Sequence, residues 1–220
     1  MMGSAWQWVL VGVGLVASGP YVAYLVAIPS GRIRPHPVSW AIWTSITAIG
    51  LAAQIDKHAG PGTAILGIGA AFCAAITVLS LKHGRWSMHP IDWLSLAGAL
   101  GAVGLWAITG NPLGAVITIA AVEVIGFVPS VRLAQAHPEH ESPLLFLSGA
   151  VRMLAGILAL DVFSVVTLLY PVTLLTCNTV FAAFILVLRR HRSLPARTTV
   201  AEVTGAALGG LAAIPDRPAT

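Results

Sequence analysis

Residues 166–188 read VTLLYPVTLLTCNTVFAAFILVL, and Arg189, Arg190, His191 and Arg192 follow at once. At 1.5 Å per residue a run of this length crosses the ~30 Å of a bilayer's hydrocarbon core. It carries no charge on any face. A surface helix of a soluble domain would show a polar side, whereas a lipid-embedded helix is apolar all round and satisfies its backbone groups within itself. The basic cluster at the end of the run marks a cytoplasmic boundary by the positive-inside rule.

Six further runs of the same kind precede this one, at 5–28, 37–55, 60–81, 91–109, 113–134 and 143–161. Short polar, Gly- or Pro-containing breaks separate them, among them Pro29-Ser30-Gly31, His58-Ala59-Gly60, His83-Gly84-Arg85 and Gly110-Asn111-Pro112. Across 220 residues the chain is 57% hydrophobic and 9% charged, against the roughly 25% charged residues of a soluble domain. That balance excludes a soluble enzyme, a disordered segment and a nucleic-acid-binding domain. Runs this long without alternation predict helices rather than barrel strands. The expectation is an all-α integral membrane protein of seven spans. The first run has no positive charge before it and is long for a signal peptide, so it reads as a retained span. A 12-residue apolar stretch from Val203 to Ile214 is too short to cross.

Lysine and arginine set the orientation. With seven spans, Arg32, Arg34, Lys82, Arg85, Arg132, Arg189, Arg190, Arg192, Arg197 and Arg217 share one side, and Lys57 stands on the other. The expectation is insertion in the plasma (inner) membrane with the N-terminus outside and the C-terminus cytoplasmic. Trp6 and Trp8 at the outer end, and Trp86 and Trp93 at the inner end, suit interfacial belts. Cys73 and Cys177 both lie in apolar runs and offer no disulfide framework or metal motif.

The chain also repeats itself. Pro20 aligns with Pro129; Pro37, Trp40, Gly50 and Ala53 align with Pro143, Phe146, Gly156 and Ala159; Pro61 and Thr63 align with Pro171 and Thr173. The register changes only in loops. Residues 1–81 and 113–190 therefore read as two copies of a three-helix unit, with 82–112 as a linker helix and 191–220 as a cytoplasmic tail. An odd linker returns the second copy in the orientation of the first, so the copies are parallel repeats about the membrane normal.

With this three-plus-one-plus-three plan the chain resembles the SWEET and PQ-loop superfamily over roughly residues 5–190, and more closely a bacterial branch, with Arg34-Pro-His-Pro-Val-Ser-Trp40, than a plant sugar carrier. The resemblance implies a transporter with a midplane site between the bundles. It also implies a proline in the first two helices of each bundle, at Pro20, Pro37, Pro129 and Pro143, and a pocket-lining asparagine at Asn178. Ile68 stands where the first bundle would carry the matching asparagine, and Tyr21 and Ser130 stand where a glutamine would follow the proline.

Charges within spans are functional candidates because inserting one costs about 2.5–3.5 kcal/mol. Glu123 and Arg152 both fall near mid-depth, in the second copy, and Asn178 reaches a similar level. The two charges form either a structural ion pair or a site for a polar solute or proton. Trp40 and Trp43, three residues apart, share a helix face with Tyr21, Tyr24, Ser18 and Thr44 near by, as a stacking wall or as packing. The four prolines serve as hinges, or are merely tolerated, with Pro37 and Pro143 as first-turn residues. The stretch His137-Pro-Glu-His-Glu141 matches no strong zinc spacing. No metal, cofactor or nucleic acid is expected. No catalytic constellation appears, and no mid-helix lysine that could hold retinal. The reading is a transporter of a small polar solute by alternating access, with a receptor or partner-binding protein as the alternative. Parallel three-helix units also allow homo-oligomers.

Overall fold

The computed structural model describes residues 4–31, 35, 37–84, 90–136, 138 and 143–191. The side chains of Asp92, Val128, Pro129, Arg132, Leu133 and Ala136 lie outside that description. Among the described residues the chain is helical, without strands, in the order α1 (Ala5–Ala17), α2 (Gly19–Ala27), α3 (Pro37–Asp56), α4 (Thr63–His83), α5 (Pro90–Thr109), α6 (Pro112–Ala136), α7 (Pro143–Leu158) and α8 (Val165–His191). The spans Ala5–Ala27, Pro37–Asp56, Thr63–His83 and Val165–His191 are long and apolar enough to cross a membrane. Shorter apolar helical stretches run over Trp93–Thr109, Pro112–Phe127 and Pro143–Leu158.

The burial pattern differs from that of a water-soluble protein on its outer surface. Large apolar side chains such as Val16, Val78, Leu100, Ile108 and Val180 point outward, while Gln7, Thr47, Gln54, Glu123, Arg152, Thr167 and Asn178 are buried. A soluble monomer seldom exposes contiguous apolar surface of this extent, but lipid favours it.

The first apolar run breaks in two. Pro20 has no N–H for the carbonyl of Val16, and Gly19 is a poor helix former because ordering it costs the most backbone entropy. Ser18 closes the end of α1: its N–H donates to Leu15 O at 3.0 Å and its hydroxyl to Gly14 O at 2.9 Å. α2 then restarts with Pro20 in its first turn.

α7 is shorter than its apolar run predicts. Its 16 residues reach about 24 Å, and the chain from Ala159 turns out of the helix toward a second loop. Asp161 N donates to Ala59 O at 2.8 Å, and Gly62 N donates to Ala159 O at 3.0 Å. The α3–α4 and α7–α8 connections are thereby zipped together, each supplying one donor and one acceptor. Gly60 takes a positive φ of 90°, and a Cβ on it would collide with Asp161. Glycine is required there twice over. Gln7 locks α1 to the same end, its Nε2 donating to Asp161 Oδ1 at 2.6 Å and to Ala159 O at 3.3 Å. At the opposite end Arg189 Nε donates to Pro138 O at 3.0 Å. Lys57 lies at the zipped end; Lys82, Arg189 and Arg190 lie at the other.

Pro171 sits inside α8, whereas its sequence match Pro61 lies in the turn before α4. The two prolines therefore stand in different settings. Having no N–H, Pro171 leaves the carbonyl of Thr167 without its helical partner. Gln54 of α3 supplies the missing donor, Nε2 to Thr167 O at 2.9 Å.

α4 packs on α3 and on α1 and α2; α8 packs on α6 and α7. Between these groups α1 and α4 meet α7, and α3 meets α6 and α8; α5 lies against α6 and α3. One apolar core joins Ile42, Ile46, Ile65, Ile119 and Met153 across α3, α4, α6 and α7. Two satellite aromatic clusters flank it. The first holds Trp40 with Ile28, Cys73 and Ile76, the second Phe181 with Ile185 and, half-buried, Phe127 and Phe146.

Candidate functional site

Among the described residues, Arg152 and Glu123 are the charged side chains most completely withdrawn from the surface, at 6% and 3% exposed. α7 carries Arg152 inward on its buried face, beside Met153, Ala155 and Gly156. α6 carries Glu123 inward with Val122 and Ile119. The guanidinium lies over the Tyr21 ring, with Cζ 4.6 Å from the ring centroid. Tyr21 belongs to α2, the segment that restarts after the break at Ser18. Gly69 of α4 lies alongside, where a Cβ would stand 3.2 Å from Arg152 Nη1.

The structure places these charges in one neighbourhood without pairing them. Arg152 Nε and Nη1 are buried and have no hydrogen-bond partner. No bridge of 4.0 Å or less joins Arg152 to Glu123. The ion pair that the sequence allows is not made: α8 packs on both α6 and α7 and stands between the two helices that carry the charges. Tyr21, Cys73 and Tyr170 each lie within electrostatic reach of both charges. Tyr170 of α8 shares a hydrogen bond of 3.0 Å with Thr47 of α3, and its ring lies against Gly50, where a Cβ would come within 2.5 Å of Cδ1. The cluster thus draws on α2, α3, α4, α6, α7 and α8.

The remaining sequence candidates fall in several places. Asn178 is buried, but its Nδ2 donates to Leu174 O of its own helix at 2.7 Å, and its Oδ1 faces Gly149 across the α7–α8 contact. Trp40 packs edge-on to Trp43, with centroids 5.1 Å apart at 81°, and on Tyr24 at 5.4 Å. It is embedded in its apolar cluster. Trp43 is half-buried and reaches α6, with Nε1 3.7 Å from where a Cβ on Gly126 would lie. Pro37 and Pro143 open α3 and α7, positions where the missing N–H has no intrahelical partner to lose. Pro20 marks the α1–α2 break. Pro129 falls inside α6, with its side chain outside the described residues, as are the His137–Glu141 residues other than Pro138.

Sequence reasoning missed Gln7, Gln54, Thr47 and Tyr170. A polar residue in an apolar run was the available signal for the two glutamines. Asp161, the last residue of the sixth apolar run, is the acceptor that fixes Gln7. A groove of about 740 Å³ between α6 and α8 is lined mostly by apolar side chains, Val124, Phe127, Val131, Val180 and Phe181 among them, with Gln135 and Thr176 as its polar members. No group of three or more metal-ligating side chains occurs among the described residues. Comparison with protein-family models, curated proteins and solved structures finds no match to this chain.

Proposed function

We propose that the protein is a seven-span transporter that moves a small polar solute by alternating access between two parallel three-helix units, in the manner of the SWEET and PQ-loop plan. The units are α1–α4, with α1 and α2 as one broken span, and α6–α8; α5 is the linker. Packing order supports this. In each unit the third span lies between the other two: α4 touches α3 and the α1–α2 span, and α8 touches α6 and α7. The contacts between units exchange when the units are swapped. The α1–α7 contact corresponds to α3–α6, and α4–α7 corresponds to α3–α8. The two aromatic clusters are related in the same way, with Trp40 in one and Phe146 in the other. The zipper between Ala59–Gly62 and Ala159–Asp161 joins the two loops that such a swap would exchange.

The observation that carries a transport role is the pair of unbridged charges, Arg152 and Glu123, at the meeting of both units. A lipid-facing structural scaffold has no need to bury either, and isolated buried charges are costly. The lysine and arginine distribution supports the basic end facing the cytoplasm of an inner membrane.

The test is spin-label distance measurement at both ends of the protein in lipid nanodiscs, with Cys73 and Cys177 replaced by Ser. One label pair replaces Lys57 and the exposed Phe163 at the zipped end; the other replaces Lys82 and Arg190 at the opposite end. Alternating access requires two distances at each end, with the short population at one end matched by the long population at the other. A single distance at each end, insensitive to conditions, refutes it.

A further inference from the structure

We propose that the solute carries a carboxylate and that Arg152 is the group that holds it. This rests on the transport reading above and narrows its substrate class. Arginine presents its donors along two edges of a plane, and each edge ends here in a buried donor without a partner, Nε on one and Nη1 on the other. The ring of Tyr21 covers a face of that plane at 4.6 Å. It compensates the charge partly and leaves the edges unsatisfied. A planar two-oxygen anion fits such an edge with two parallel hydrogen bonds, and few other solute groups do.

The chain already possesses a carboxyl group in the same unit and does not use it for this purpose. Glu123 lies in the same buried cluster, within electrostatic reach of the same Tyr21, Cys73 and Tyr170, yet closes no bridge to Arg152. A structural lock would pair the two. Gly69 keeps a side chain off the Nη1 end of the guanidinium. The unpartnered donors of Arg152 and the carboxyl of Glu123 belong to one buried cluster. The anionic end of a solute docks at Arg152, and its remaining hydrogen-bonding groups lie toward Glu123.

In the conformation described the donors are sealed from solvent. Tyr21 rides on α2, directly after the Ser18–Gly19–Pro20 break, and movement of this segment uncovers the guanidinium. Discrimination against a neutral analogue is built in. A solute of the same shape without the charge leaves the arginine unpaired, a penalty that ordinary apolar pockets cannot impose.

The test uses the full chain in nanodiscs and thermal unfolding with matched acid and amide probes at constant ionic strength: lactate and lactamide, benzoate and benzamide, glycine and glycinamide. At least one acid is expected to raise Tm, with its amide at least about tenfold weaker. Arg152→Lys should weaken the acid's effect and Arg152→Met abolish it, each with unchanged helix content by circular dichroism. The proposal is overturned if amides bind as well as their acids, if acid binding survives Arg152→Met, or if no acid binds. Any of these outcomes together with intact distance exchange at the two ends removes the carboxylate and leaves transport standing. Loss of the distance exchange removes transport itself.

Discussion

Replacing Arg152 by Met should make the empty protein more stable, not less. The substitution removes two buried donors, Nε and Nη1, that have no partner. Each unsatisfied buried donor costs about 1–3 kcal/mol, so their removal recovers roughly 2–6 kcal/mol. Against this stands the cation–π contact with Tyr21 at 4.6 Å, worth about 0.5–2 kcal/mol. Methionine is flexible and apolar and fills much of the same volume, at a repacking cost under about 1.5 kcal/mol. The balance is a gain of about 1–3 kcal/mol. For a chain of this size that corresponds to a rise of ~3–10 °C in Tm, at roughly 2–4 °C per kcal/mol. The seven tryptophans allow unfolding to be followed by intrinsic fluorescence in one fixed lipid composition without added ligand. A fall of several degrees would show that the guanidinium is bonded to the fold after all, and the argument from its unmade bonds would be lost. A natural chain that retains a destabilising group retains it for what the group does, the usual trade between stability and activity at a binding site.

The other expectations concern the contacts that hold the helices in place. Gln54→Leu leaves Thr167 O without a donor and should cost about 1–3 kcal/mol; in a Pro171→Ala background the helix supplies its own N–H, so the same change should cost markedly less in a double-mutant cycle of thermal unfolding. Gly50→Ala drives a methyl group into the Tyr170 ring and should destabilise by about 1–3 kcal/mol, measured the same way; unchanged Tm would show that the ring moves freely. Asp161→Ala removes the acceptor for Gln7 and should shift the label pair at the zipped end toward its longer distance, while Arg190→Ala, away from that end, should not. A cysteine at Lys57 should react with an impermeant thiol reagent added outside intact cells, and one at Lys82 only after the membrane is opened; the reverse pattern would invert the orientation.

The sequence alone determined the helical, lipid-compatible character of the chain. Uncharged runs of span length leave the backbone one way to satisfy itself in lipid, so the helices over 37–56, 63–83 and 165–191 follow from length and composition without any tertiary information. The break beside Pro20 was not legible: residues 5–28 read as one run, with Pro20 either a hinge or merely tolerated, and the division into α1 and α2 is seen only in the structure. Local chemistry marked Arg152 and Glu123, since a charge in an apolar run is conspicuous whatever surrounds it. What the sequence could not decide was whether those charges meet. Pairing depends on which faces of α6 and α7 turn toward each other and on what lies between, and two residues on separate helices at matching depth satisfy the same spacing argument bonded or unbonded. The same holds for Asn178, whose amide turns back onto Leu174, and for Trp40, which packing absorbs. Gln54 shows the limit most clearly. Its partner is a backbone carbonyl freed by a proline on a helix more than a hundred residues away, and a carbonyl has no letter in the sequence. Only the three-dimensional packing of α3 against α8 brings the vacant acceptor and the buried amide together.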